Sequence, residues 1–161
     1  MPTKWVTFDC FGTLVDWHTG FATALRPIAD DRVPELLAAY HRHEPILEAE
    51  RPHRLYKAVL ETAVRRAASD LGLNLTDEQA RALPMAWDAL LVFPDVEPAL
   101  ESLRSAGYKL AVLTNCDDDL FARTQRGFRQ PFDLVITAEQ VKDYKPAHGH
   151  FRRFFRVSGV E

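Results

Sequence analysis

Asp9 stands where a short apolar run, Trp5-Val6-Thr7-Phe8, gives way to a turn at Gly12-Thr13. A brief stretch of β-formers ending in a carboxylate predicts a buried strand that carries an acidic side chain to its C-terminal end. Open parallel α/β sheets place their ligands at that edge. A carboxylate there, close to the backbone N–H groups of the following turn, is a candidate nucleophile. Two other sites fall in the same geometry. Thr114-Asn115 closes a second apolar run, and Lys145 follows a third, just before Pro146. The Thr114 hydroxyl and the Asn115 amide can donate to a carboxylate or a developing oxyanion. Lys145 supplies a cation beside a nucleophile that must stay ionised. Each group has a plainer reading: a structural Asp, a Thr-Asn that caps the next helix, a solvated Lys ahead of a helix. Taken together they outline one crevice suited to nucleophilic displacement.

Three strands must position these groups: residues 4–9, 109–114 and 132–138. Between the first and the second the pattern is helical from about residue 17 to residue 91. Apolar residues at Leu36, Leu37, Tyr40 and Leu47 predict a helix over 33–50, with Pro34 near its start and Pro45 expected to kink or divide it. A second helix is predicted over 55–71, ended by Gly72. A third opens at a Thr76…Gln79 capping box and runs to about 91, bent or interrupted at Pro84. Further helices are predicted over 96–106, over 118–127 and from Pro146 onward.

The 161 residues are 47% hydrophobic, enough for one substantial core or a core with a satellite domain. A net charge of −3 offers no basic field for nucleic acid or an anionic membrane. No segment reaches the roughly 20 consecutive apolar residues that span a bilayer. Met-Pro-Thr-Lys leads straight into a strand without the leader of a signal peptide. Cys10 and Cys116 are too few for a disulfide framework. The expected location is the cytoplasm, with both cysteines acting as small core hydrophobes. The run Asp117-Asp118-Asp119 reads as an acidic helix start that complements the macrodipole. The histidines show no metal-ligand spacing.

The stretch Asp9-Cys10-Phe11-Gly12-Thr13-Leu14 resembles the Asp-x-x-Gly-Thr-Leu signature of the haloacid dehalogenase superfamily. Thr114-Asn115 resembles its second motif and Lys145-Pro146 its third, in the same order and spacing. Phosphatases of the superfamily carry a second Asp two residues after the first, where this chain has Phe11. The 2-haloacid dehalogenase branch has an aromatic residue there. The resemblance implies an α/β fold with a Rossmann-like parallel-sheet core, residues 1–14 and 92–161, and an inserted helical cap, 15–91. It implies Asp9 as nucleophile, Thr114 and Asn115 orienting it or the substrate, and Lys145 as charge partner. Phe11 and Thr13 would line the pocket, and Arg42 would receive the departing halide. The expected activity is displacement of halide from small 2-haloalkanoic acids through an aspartyl ester, without a cofactor.

Two alternatives stand beside it. One is a phosphatase on small phosphate esters, which would need Mg2+; the other is a non-catalytic remnant serving as an assembly module. The chain departs from the branch at Phe11 and Phe151, both places where the branch usually has Tyr. The fourth motif of the family is not found by Glu161. That leads to the expectation of an unpaired edge on the Asp9 strand and of a homodimer formed there.

Overall fold

The computed structural model describes residues 4–160. Strands β1 (Trp5–Phe8) and β2 (Val15–Asp16) precede the helices α1 (Trp17–Ala29), α2 (Val33–Ala49) and α3 (Tyr56–Asp70). The short helices α4 (Asp77–Ala80) and α5 (Ala82–Met85) and the strand β3 (Leu91–Val92) follow. The chain then alternates through α6 (Val96–Ser105), β4 (Lys109–Thr114), α7 (Asp118–Gln125), β5 (Leu134–Thr137), α8 (Ala138–Val141) and α9 (Gly149–Ser158). These elements divide into two compact units. One holds the described residues up to Trp17 and from Leu91 onward; the other is His18–Leu90.

In the first unit β1, β4 and β5 form a parallel sheet in the order β1-β4-β5. Phe8 pairs with Val112, and Thr114 with Thr137. The central strand is the most apolar, and Leu110–Thr114 are all buried, as a parallel strand covered on both faces requires. Ala111, Leu113, Ile136 and Phe154 make a core cluster, against which Trp5, Leu134 and Val141 pack. Trp5 meets Phe154 edge-on at 5.7 Å. Each large apolar side chain buried here contributes about 1.5–3 kcal/mol. The α/β class with a parallel-sheet core is thus the one expected.

Two features of this unit differ from expectation. Strands β2 and β3 form a small antiparallel pair, Val15 opposite Val92 and Asp16 opposite Leu91, in segments too short to carry a periodic signal. The last helix begins at Gly149 rather than at Pro146. The carbonyl of Lys145, which would accept the first bond of a helix starting at Pro146, instead accepts from Asn115 Nδ2.

The second unit is helical. Helices α2 and α3 pack on each other, burying Leu36, Leu37, Tyr40 and Leu47 from one and Val59, Leu60, Ala63, Val64 and Ala67 from the other. Pro45 does not divide α2, which runs unbroken from Val33 to Ala49. A proline there removes one backbone bond. The Tyr40 hydroxyl spans the same turn, donating to Glu44 Oε1 at 2.6 Å, and the Tyr56 hydroxyl of α3 donates to that oxygen at 2.6 Å. The capping box is present, with Gln79 N donating to Thr76 Oγ1 and Thr76 N to Gln79 Oε1. The helix it opens is shorter than expected, because α4 ends at Ala80 and α5 at Met85.

Candidate active site

Asp9 follows the last residue of β1, and the turn behind it is tightly bonded. Leu14 N and Val15 N both donate to the Cys10 carbonyl, at 2.7 and 3.0 Å, and Gly12 N donates to Val15 O at 2.8 Å. Gly12 adopts φ +90, and a Cβ placed on it would stand 3.0 Å from Trp17 Nε1. Only glycine takes that conformation and that clearance together. The turn brings Thr13 back over the carboxylate, where its hydroxyl donates to Asp9 Oδ2 at 3.3 Å.

The other carboxylate oxygen has a different partner. Lys145 Nζ donates to Asp9 Oδ1 at 2.6 Å and to the Leu113 carbonyl at 2.6 Å. The Lys145 side chain is 19% exposed and that of Asp9 is 46% exposed. The ammonium is therefore shielded behind a carboxylate that remains open to a reactant.

Asn115 is tied to the Lys145 segment. Its amide grips the Lys145 backbone from both sides, Nδ2 donating to Lys145 O at 3.1 Å and Oδ1 accepting from Lys145 N at 2.7 Å. Thr114 turns its hydroxyl inward. Its side chain is fully buried and its hydroxyl donates to Cys116 Sγ at 3.6 Å. A hydroxyl turned into the core at the end of a strand must find an internal partner, and the thiol supplies it. Phe11 forms an isolated bridge with Val15 in the same turn. Asp9, Thr13, Asn115 and Lys145 thus come together within one unit.

Arg42 lies on α2 of the helical unit, its guanidinium 3.6 Å from Asp70 Oδ2. The same carboxylate takes His43 Nε2 at 2.8 Å.

Both cysteines are buried thiols. Burial pushes Cys10 well up and Cys116 up to about 12, so neither offers a thiolate near neutrality. The acidic run has structural partners: Asp118 Oδ1 accepts from Thr137 Oγ1 at 2.6 Å and from Gln140 Nε2 at 2.8 Å. Among the described residues no three His, Cys, Asp or Glu side chains converge to hold a metal ion. No helix among them is long and apolar enough to cross a membrane.

Sequence reasoning missed His150, a fully buried imidazole whose Nε2 lies 2.9 Å from the Thr114 carbonyl oxygen. Its position close behind the Lys-Pro pair is the signal that could have drawn attention to it.

A family model described as haloacid dehalogenase-like hydrolase matches residues 3–161. An (S)-2-haloacid dehalogenase of Pseudomonas putida is 26% identical over 147 residues, covering 88% of this chain and 64% of that protein. Another, from Pseudomonas sp. (strain YL), is 28% identical over 155 residues, covering 89% and 64%. The chain therefore spans just under two thirds of the length of these relatives. Among solved structures, an L-2-haloacid dehalogenase from Xanthobacter autotrophicus with chloropropionic acid covalently bound superposes with a TM-score of 0.86. Its identity is 22%, over 99% of this chain and 66% of that one. At that identity the superposition speaks for the fold. The family match runs over nearly the full length and takes in the Asp9 turn, the end of β4 and Lys145: the chain belongs to the haloacid dehalogenase-like hydrolases.

Proposed function

We propose that this chain carries the chemistry of a 2-haloacid dehalogenase, with Asp9 as nucleophile. A carboxylate oxygen of Asp9 displaces halide in line from the halogen-bearing carbon of a small 2-haloalkanoate. The C–O bond forms as the C–halogen pair departs with the halide. Water then adds to the carboxyl carbon of the aspartyl ester, the acyl C–O bond breaks, and a 2-hydroxy acid and a proton leave with Asp9 restored. The observation that carries this reading is the Asp9 carboxylate, open to solvent yet held by Lys145 on one oxygen and Thr13 on the other. The names of the relatives, (S)-2-haloacid dehalogenases, support it.

Lys145 serves as the charge partner, Asn115 fixes the Lys145 backbone, and Thr114 contributes through its backbone. Phe11 and Thr13 line the pocket. The helical unit acts as the cap, and Arg42 is the proposed halide-binding residue. No metal takes part, because halide leaves without the charge neutralisation that phosphoryl transfer demands and Phe11 offers no ligand. The setting is cytoplasmic. A homodimer is the proposed assembly.

The test is a single turnover of 2-chloropropionate in ¹⁸O-water, followed by mass analysis of the peptide bearing Asp9. The expected result is ¹⁸O in Asp9, chloride release, and loss of both in Asp9→Asn. Chloride release undiminished in Asp9→Asn would sink the mechanism.

A further inference from the structure

His150 sits in the first turn of α9, fully buried. Its Nε2 is 2.9 Å from the Thr114 carbonyl oxygen. A carbonyl only accepts, so Nε2 carries the proton and Nδ1 is a bare acceptor. That Nδ1 is buried with no hydrogen-bond partner among the described residues. Leucine or phenylalanine would fill the space without stranding a polar atom. What the imidazole adds is one donor, aimed at the end of β4.

The neighbours of that carbonyl give the donor its meaning. The Leu113 carbonyl receives Lys145 Nζ, and the Asn115 amide grips the Lys145 backbone. Three successive residues, Leu113, Thr114 and Asn115, thus bond to the segment that runs from Lys145 to His150. Asn115 secures its near end and His150 its far end.

We propose that His150 is a positioning residue for the Asp9–Lys145 pair, acting as the neutral Nε2–H imidazole that locks the Thr114 peptide and so sets the Lys145 ammonium against Asp9. The proposal deepens the reading of Asp9 and Lys145 as the reacting pair and rests on it for its catalytic meaning.

A second proton would have to go on Nδ1, where no acceptor waits. Burial dominates and holds the imidazole below its ordinary value. The bond to the Thr114 carbonyl and the charges of Asp143 and Asp9 pull the other way, and Lys145 adds to the lowering. The folded state therefore binds this proton at lower pH than the unfolded chain does. The stability due to neutral His150 is complete above about pH 6.5, the unfolded value, and falls away as the pH drops below it.

The experiment is NMR on the whole ¹⁵N-labelled chain, comparing wild type with His150→Gln and His150→Leu. Glutamine keeps a donor but cannot titrate; leucine has no donor. At neutral pH the expected His150 signature is a protonated Nε2 and an unprotonated Nδ1. The Asn115 and Lys145 amide resonances of the Gln variant should stay with wild type while those of the Leu variant shift. On acidification these resonances should move in step with His150 in wild type and lose that step in the Gln variant.

An Nδ1–H tautomer overturns the proposal, as do Asn115 and Lys145 resonances that ignore both the His150 titration and the leucine. If the Leu variant does not fold, the tautomer and the Gln comparison decide. Turnover of 2-chloropropionate is scored apart. Resonances that follow His150 in a chain releasing no chloride keep the positioning role and sink the dehalogenase reading. Chloride release with unmoved resonances does the reverse. In an active chain, His150→Leu should lower kcat by roughly ten- to a hundredfold with little change in KM, and His150→Gln should restore it.

Discussion

Removing the hydroxyl of Tyr40 or of Tyr56 should destabilise the protein by about 1.5–3 kcal/mol at neutral pH, the worth of one hydrogen bond to a charged group. Both hydroxyls donate to Oε1 of Glu44, each at 2.6 Å. The Glu44 side chain is only 21% exposed, so water replaces a lost donor poorly. Burial by itself would raise the Glu44 carboxyl, but hydrogen bonds from His41, Tyr40 and Tyr56 outweigh it and hold the group below its ordinary value. A carboxyl lowered on folding contributes stability that is present above its unfolded value, about 4.3, and is lost as the pH falls through the folded value. The Tyr→Phe cost should therefore be full at neutral pH and largely gone in acid, where Glu44 is protonated in every variant.

For a chain of this size each kcal/mol moves Tm by about 2–4 °C, so a single variant should melt about 3–12 °C lower. The assay is thermal and urea unfolding of Tyr40→Phe, Tyr56→Phe and the double variant, at neutral and at acid pH. The double variant leaves the half-buried carboxylate without either tyrosine donor and should lose more than either single. Unchanged midpoints in both single variants at neutral pH would refute the argument. So would equal losses at the two pH values.

Three further outcomes follow from the site. Gly12→Ala forces a side chain into a positive φ and against Trp17, and should cost about 1–3 kcal/mol, read by calorimetry. Asn115→Ala unties the Lys145 backbone and should reduce chloride release from 2-chloropropionate by roughly ten- to a hundredfold, with Tm lowered far less than by Gly12→Ala. EDTA should leave dehalogenation unchanged. Magnesium-dependent release of phosphate from an aryl phosphate would instead promote the phosphatase reading.

The strands that carry chemistry were legible because burial on both faces leaves a continuous apolar run. β4 falls on residues 109–114 as expected, and its buried run is Leu110–Thr114. The meeting of Asp9 with Lys145 was legible too, since parallel strands must deliver their C-terminal ends to one edge. What was not legible depends on side-chain partners that periodicity does not encode. The direction of the Thr114 hydroxyl was settled by a thiol two residues on. The persistence of α2 through Pro45 goes with a Glu44 carboxylate shared with α3. His150 belongs to this class, because a lone histidine beside apolar residues carries no periodic signal of the carbonyl it serves. The two-residue pairing of β2 with β3 is likewise a long-range event without a local pattern.

That pairing has a consequence for the order of folding. With Val15 opposite Val92 and Asp16 opposite Leu91, the chain leaves the sheet unit and re-enters it at adjacent points. β1 and β4, by contrast, must find each other across roughly a hundred residues, a loop closure whose entropy is met before any pairing rewards it. The helices of His18–Leu90 need only contacts within their own stretch. Once they have folded and β2 has zipped to β3, the effective separation of β1 and β4 collapses to the short segments on either side of that neck. The helical unit is therefore expected to form first, with the sheet that presents Asp9 closing behind it. Substitutions in the α2–α3 contact should slow refolding, while substitutions in the β1–β4 ladder should mainly hasten unfolding.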